Sequence, residues 1–200
     1  MAASPGKYNI SVLMEGYSYE DKCGAFRADG TSTLITGPKR IIVDTGSPHD
    51  KDKIIKRLKD HGLGPSDIEY VICTHGHVDH VGNLNLFSNA KFIVGYDIMD
   101  GDCYAEHDFK GGNIYKIDDN IEVIPTPGHT HADVSVVVRD VRDYGTVVVC
   151  GDLFEKENDE NDWQSLSECV KLQEENRARI LQLADYVVPG HGAIFRTKQK

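Results

Sequence analysis

The sequence predicts an α/β fold, a single domain arranged as a four-layer αββα sandwich with two mixed sheets flanked by helices. Three observations carry that expectation. Apolar, β-branched runs of strand length recur in both halves of the chain, segments of helical periodicity follow each set, and histidine or aspartate stands beside glycine where several runs end. The length agrees with one domain, since 200 residues bury roughly 70% of their unfolded surface around one core. With 40% hydrophobic and 27% charged residues, the composition is that of an ordinary globular protein and excludes collagen-like, mucin-like and linker-like chains. The domain spans residues 1–200, of which 1–6 read as a flexible lead-in.

Alternating residues at 8–13 predict a first strand. Residues 32–36 and 40–44 are apolar and β-branched, and Gly37-Pro38-Lys39 between them predicts a hairpin. Ser47 stands where an N-cap belongs and Pro48 at the first helical position; Ile54, Ile55 and Leu58 share one face, and Gly62 stops the helix. A strand at 68–73 runs directly into Thr74-His75-Gly76-His77. Leu84, Leu86 and Phe87 suggest a short helix, 91–94 a buried strand, and 120–126, 133–139 and 146–150 three more strands. Trp163, Leu166, Val170, Ile180 and Leu181 predict one helix over 163–185, and a last strand at 186–188 leads to Pro189-Gly190-His191-Gly192.

Asp and Glu number 32 against 22 Lys and Arg, a net charge of −10. That balance opposes nonspecific nucleic-acid binding, because counterion release needs clustered cations and none cluster outside 51–59. The first ten residues lack the basic end and apolar core of an export signal, and the longest apolar runs, such as 147–150, fall far below the roughly 18 residues of a membrane span. No membrane association and a cytosolic or nuclear location are therefore expected. Five widely spaced cysteines, Cys23, Cys73, Cys103, Cys150 and Cys169, form no C-x-x-C pair; four have apolar or small neighbours and read as reduced, mostly buried thiols.

The strongest signal is histidine. His75, His77 and His80, with Asp79 among them, form His-x-His-x-Asp-His at the end of an apolar strand, where a sheet holds the loop rigidly. Neutral imidazoles and a carboxylate are ligands that zinc and similar divalent ions prefer, whereas magnesium or calcium would call for mostly oxygen. Four such side chains in six residues cannot all converge tetrahedrally on one ion, which points to two. Further single candidates stand beside glycine at other strand ends: His129 in Pro127-Gly128-His129-Thr130, Asp152 in Cys150-Gly151-Asp152, and His191.

These elements resemble the metallo-β-lactamase superfamily and stand in its order: Asp44 in Ile-Val-Asp-Thr-Gly, Thr-His-Gly-His-Val-Asp-His, Gly128-His129-Thr130, Gly151-Asp152 and Pro189-Gly190-His191-Gly192. The resemblance implies two zinc ions, with iron or manganese as alternatives. His75, His77 and His129 would hold one, Asp79, His80 and His191 the other, and Asp152 would bridge them, while Asp44 would order the loop beneath. It further implies hydrolysis by a metal-activated hydroxide without a serine or cysteine nucleophile, Asp79 orienting the hydroxide or passing a proton to the leaving group. Two divalent cations, two carboxylates and one hydroxide leave about one positive charge at such a site, so an anionic substrate is admissible. A mononuclear iron oxygenase acting on persulfides would need only two histidines and one aspartate; the complete seven-residue set favours the dinuclear hydrolase. A non-catalytic protein that keeps a structural metal pair is a further alternative.

For substrate, the chain is too short for the inserted domain or protruding arm of larger RNA-processing members. Only residues 193–200 follow the last ligand, where glyoxalase II carries a helical extension that helps bind glutathione. Outside the metal motifs, residues 27–35, 82–87, 133–138, 145–155 and 162–168 resemble one branch of the superfamily, zinc-dependent endoribonucleases acting on the 3′ end of histone pre-mRNA. That resemblance implies single-stranded RNA as substrate and a homodimer, with a glyoxalase II-like thioesterase acting on a small thioester as the alternative. The acidic run Glu155, Glu157, Asp159, Glu160 and Asp162 reads as a solvated loop entering the Trp163 helix, where acids suit the dipole, or else as an acidic partner-binding surface. Lys110, Lys116 and Arg196 are candidate cations near the cleft, and His131 is a candidate substrate contact. His49 and His61 read as surface residues, and His107 as part of a glycine-rich loop over the site. Tyr17, Phe109, Phe154 and Phe195 are candidates to stack on bases or to pack core and rim.

Overall fold

The structure is a computed structural model that describes residues 6–159 and 162–197. The expected flexible lead-in lies, apart from Gly6, outside the described residues, as does Glu160 of the acidic run.

Two sheets form the centre. The first half supplies β1 (Asn9–Met14), a separate hairpin β2 (Tyr17–Glu20) and β3 (Phe26–Asp29), then β4 (Ser32–Thr36), β5 (Arg40–Val43), β6 (Tyr70–Cys73), β7 (Lys91–Val94), β8 (Asp97–Asp100) and β9 (Cys103–Ala105). The second half supplies β10 (Tyr115–Lys116), β11 (Ile121–Pro125), β12 (Val134–Val141), β13 (Gly145–Gly151), β14 (Tyr186–Pro189) and β15 (Phe195–Arg196). The first sheet has seven strands in the order β1-β4-β5-β6-β7-β8-β9, the second six in the order β10-β11-β12-β13-β14-β15. Both are mixed: β5, β6 and β7 run parallel in the first, β13 and β14 in the second, and their other neighbours pair antiparallel.

Period-two alternation builds the layers. Ile41, Val43 and Ile72 of the first sheet meet Val136, Val138, Val147 and Val149 of the second in one buried cluster. The residues between them point outward. Ile42, Val71 and Cys73 pack on Ile54 and Leu58 of α1 (Lys51–Asp60), while Val137, Val148 and Val187 pack on Ile180 and Ala184 at the end of α3 (Val170–Leu183). Strands apolar on both faces are thus sandwiched between partner sheet and helix, giving the four expected layers. The expected hairpin is β4–β5, and the expected helix begins as a 3-10 turn at Pro48–Asp50, after Ser47, ahead of α1.

The structure corrects three expectations. The helix over 163–185 is two pieces, a 3-10 turn at Trp163–Leu166 and α3. Between them Glu168 and Cys169 donate their amides to the carbonyls of His129 (3.1 Å) and Gly128 (2.9 Å), so the backbone bonds across the fold instead of along a helix. Of the cysteines, all free, only Cys73 and Cys150 are buried; Cys23 and Cys103 lie exposed in the Asp21–Ala25 turn region and on edge strand β9. The acidic run is not simply solvated, because Glu155 and Asp159 are buried. Among the described residues no helix is long and apolar enough to cross a membrane.

Candidate metal centre

Every predicted ligand follows the carboxyl end of a strand or the short helix α2 (Val78–Val81) built on one. β6 delivers His75 and His77, α2 carries Asp79 and His80, and the ends of β11, β13 and β14 precede His129, Asp152 and His191. Two close approaches require glycine. A Cβ at Gly190 would stand 1.8 Å from Asp152 Oδ1, and one at Gly151, whose φ is +51°, would stand 2.2 Å from Thr74 Oγ1.

The structure brings all seven together. His77 Nδ1 lies 2.9 Å from His75 Nε2 and 3.1 Å from His129 Nε2, while Asp152 Oδ2 lies 3.6 Å and 3.3 Å from the same His75 and His129 atoms. A tetrahedron of ligands around zinc at 2.0–2.1 Å has edges of about 3.4 Å, so this quartet has the size of a cation site. On the other side, Asp152 Oδ1 is 3.1 Å from His80 Nε2, and Asp79 Oδ2 is 3.8 Å from both His80 Nε2 and His191 Nε2. His80 Nε2 and Asp152 Oδ1 are buried without a hydrogen-bond partner, an expensive arrangement that a shared cation relieves. Nitrogen-rich donors on one side and mixed nitrogen and oxygen on the other fit zinc-like ions.

Hydrogen bonds beneath the ligands fix their orientation. Asp44, held at φ 57°, accepts from the Thr74 amide at 2.7 Å, the Thr74 hydroxyl at 2.9 Å and His80 Nδ1 at 2.8 Å. The Thr74 hydroxyl, having given its proton to Asp44, accepts from His75 Nδ1 at 3.1 Å. Both imidazoles therefore turn Nε2 inward. Asp133, absent from the sequence expectations, accepts from the amides of Gly128 (3.0 Å) and Thr130 (2.7 Å) and shapes the His129 loop. The polar side of α3 does the rest. Gln173 donates to the Asp152 carbonyl at 2.9 Å and Asn176 to the Pro127 carbonyl at 2.8 Å. Arg177 donates to the Leu153 carbonyl at 2.8 Å, pairs with Asp159, and lies over the rings of Phe154 and Trp163. That polar duty is why α3 carries little apolar periodicity.

The electrostatics suit a cation. Burial holds His75 well below the ordinary histidine range and lowers His129, keeping both neutral and able to ligate. For His80 burial acts the same way, but the Asp152 and Asp44 carboxylates outweigh it and raise the group well above normal; for His191, Asp152 outweighs burial and lifts it to about 9. Burial opposes charge on Asp152 as well, yet His80, His191 and His75 hold it well below the carboxylate range. Burial lifts Glu155 to about 8, with repulsion from Asp152 adding to it.

Other candidates fall elsewhere. His131 is exposed, 3.7 Å from Glu168, outside the imidazole cluster. His107 packs edge-on against Phe109 and Tyr115 and bonds the Asn113 carbonyl. Phe109 and Phe154 are buried, Phe195 packs against Phe154, and Lys116 is turned toward Glu122. Tyr17 is exposed and lines a recess of about 540 Å³ with Lys53, Lys56 and Arg57, walled by Asp29 and Gly30. Glu20 and Phe26 of the same hairpin line, with Glu155, Lys156 and Asp162, a second recess of about 470 Å³.

Residues 26–191 match the metallo-beta-lactamase superfamily profile. The chain is 48% identical over 195 residues to metallo-beta-lactamase domain-containing protein 1 of Xenopus laevis, covering 96% of this chain and 83% of that protein. Among solved structures, a Thermotoga maritima protein superposes with a TM-score of 0.72 at 21% identity, covering 95% of this chain and 99% of that one. A dizinc quorum-quenching lactonase superposes with a TM-score of 0.65 at 15% identity, covering 98% and 92%. With its family profile spanning most of its length and a close relative along nearly all of it, this chain belongs to the metallo-beta-lactamase superfamily of metallo-hydrolases.

Proposed function

We propose that the chain is a dinuclear, zinc-dependent hydrolase that cleaves single-stranded RNA at phosphodiester bonds, of the histone pre-mRNA 3′-end processing type. The observation that carries the hydrolase is the place of Asp152, whose Oδ1 faces His80 at 3.1 Å while Oδ2 faces His129 at 3.3 Å. His75, His77 and His129 would hold one ion, Asp79, His80 and His191 the other, and Asp152 both. When bound, such a pair activates water and offsets charge developing at the attacked group. Asp79, whose side chain is 21% exposed, has the solvent access to meet substrate; it would orient the attacking water and pass a proton to the leaving oxygen. The dizinc centre named for the lactonase of the same fold supports zinc.

RNA is supported by the resemblance of residues 27–35, 82–87, 133–138, 145–155 and 162–168 to the endoribonuclease branch, and by the recess of Tyr17, Lys53, Lys56 and Arg57, where a base could stack and phosphates find cations. Its wall, Asp29, also accepts a hydrogen bond from His191 through its carbonyl. A small thioester is the second substrate, favoured by the other recess, where Glu20 and Asp162 outnumber Lys156 and would repel a polyanion. Zinc-loaded protein offered single-stranded RNA and S-lactoylglutathione side by side separates the two. RNA cleavage is the expected result, and thioester turnover with intact RNA refutes it.

A further inference from the structure

Glu155 stands three residues past Asp152 and is 2% exposed, and the one cationic group facing it among the described residues is the His191 imidazole. Its Oε1 has no hydrogen-bond partner, and its Oε2 lies 3.9 Å from His191 Nε2, beyond hydrogen-bond length. The cations of its own neighbourhood are committed elsewhere: Arg177 pairs with Asp159, and Lys156 turns to Asp162 at 3.6 Å. The backbone around it is nonetheless fixed. Its amide donates to Asp159 at 2.8 Å, and its carbonyl accepts the His191 amide at 2.7 Å. A buried carboxylate oxygen without a donor is costly, and a cation shared with Asp152 and His191 would satisfy the one that Glu155 Oε1 presents. Oxygen and nitrogen atoms of Glu155, Asp152 and His191 all lie within 4.8 Å of one another.

We propose that Glu155 is a further carboxylate donor to the second metal position, alongside Asp79, His80, Asp152 and His191. This rests on the two-metal assignment above. The two positions then differ in kind. The His75, His77 and His129 position is nitrogen-rich and four-ligand, as zinc prefers, whereas the second offers three carboxylates and two imidazoles, a harder set that suits manganese or ferrous iron. A third carboxylate also brings the loaded centre close to neutrality, leaving the recess cations to attract an anionic substrate.

The test uses the whole chain, stripped by chelator, given one equivalent of Zn²⁺ and titrated with Mn²⁺, with free Mn²⁺ read by its EPR signal. Wild type is expected to take up one Mn²⁺. Glu155→Gln is expected to keep its Zn²⁺ but bind Mn²⁺ about 10–100-fold more weakly, and Glu155→Asp, with the carboxylate drawn back by one methylene, to fall between. Equal Mn²⁺ affinity in wild type and Glu155→Gln overturns the proposal alone; wild type that takes up no second ion overturns the two-metal assignment and this proposal with it. Should Glu155→Gln fail to fold, Glu155→Asp decides, and unchanged Mn²⁺ affinity there overturns the proposal.

Discussion

His191 Nδ1 donates to the main-chain carbonyl of Asp29 across 3.0 Å, joining the last predicted ligand to a hairpin 162 residues earlier. A carbonyl can only accept, so the bond places the proton on Nδ1 and aims Nε2 at Asp152 and Asp79. The Asp29–Gly30 segment is thereby part of the metal centre's support, although neither residue offers it a side chain.

Removing a ligand tests the centre directly. His77→Ala deletes the imidazole whose Nδ1 lies near both His75 and His129, and the backbone there bears no core packing because His77 is exposed. The variant is expected to keep its fold by circular dichroism, lose bound metal by elemental analysis, and lose hydrolysis about 100-fold or more. Unchanged metal content and activity would refute the assignment.

Asp44→Asn tests the support beneath the ligands. An amide offers one acceptor atom where the carboxylate serves Thr74 and His80 together, and its NH2 would confront a donor. Metal affinity measured by chelator competition is expected to fall about 10–100-fold. Because Asp44 touches no substrate, loss of activity should be recovered by raising the metal concentration.

Stability should depend on pH through Asp133, which burial lifts to about 7. Between its unfolded value near 3.8 and its folded value, the native state holds a proton that the unfolded state has released. Unfolding is therefore easier as pH rises through that window and levels off above it, by at most about 4 kcal/mol from this group. In chelated protein, denaturation midpoints of Asp133→Asn should vary less between pH 4 and 7 than those of wild type. Parallel profiles would contradict the assignment.

Arg177→Ala should destabilise the chain by about 3–5 kcal/mol, because it strands the buried Asp159 carboxylate. A paired Arg177→Met and Asp159→Asn variant should lose less, which thermal melts of the three proteins would show.

How much was legible follows the physics of each element. Strands buried on both faces, such as 134–141 and 145–151, are runs of valine that read clearly, as does the helix entered by Ser47 and Pro48. The β2–β3 hairpin was not legible, since Tyr17, Tyr19 and Phe26 remain exposed and no buried face imposes alternation. The break before α3 and the burial of Asp159 escaped for a related reason: the amides of Glu168 and Cys169 bond to carbonyls distant in sequence, and Asp159 is paired by Arg177 eighteen residues later.

The sequence by itself determined the sandwich and the seven candidate ligands, because hydrophobic periodicity and ligand spacing are local properties of the chain, and the order of its motifs carried the resemblance to the superfamily. Only the tertiary structure decided what surrounds those ligands. Asp133 under the His129 loop, the polar face of α3, the Asp29 carbonyl behind His191 and the unpaired carboxylate of Glu155 all depend on strand ends converging from both sheets. Such contacts arise from hydrogen bonds and charges made at long sequence separation, which no local pattern records.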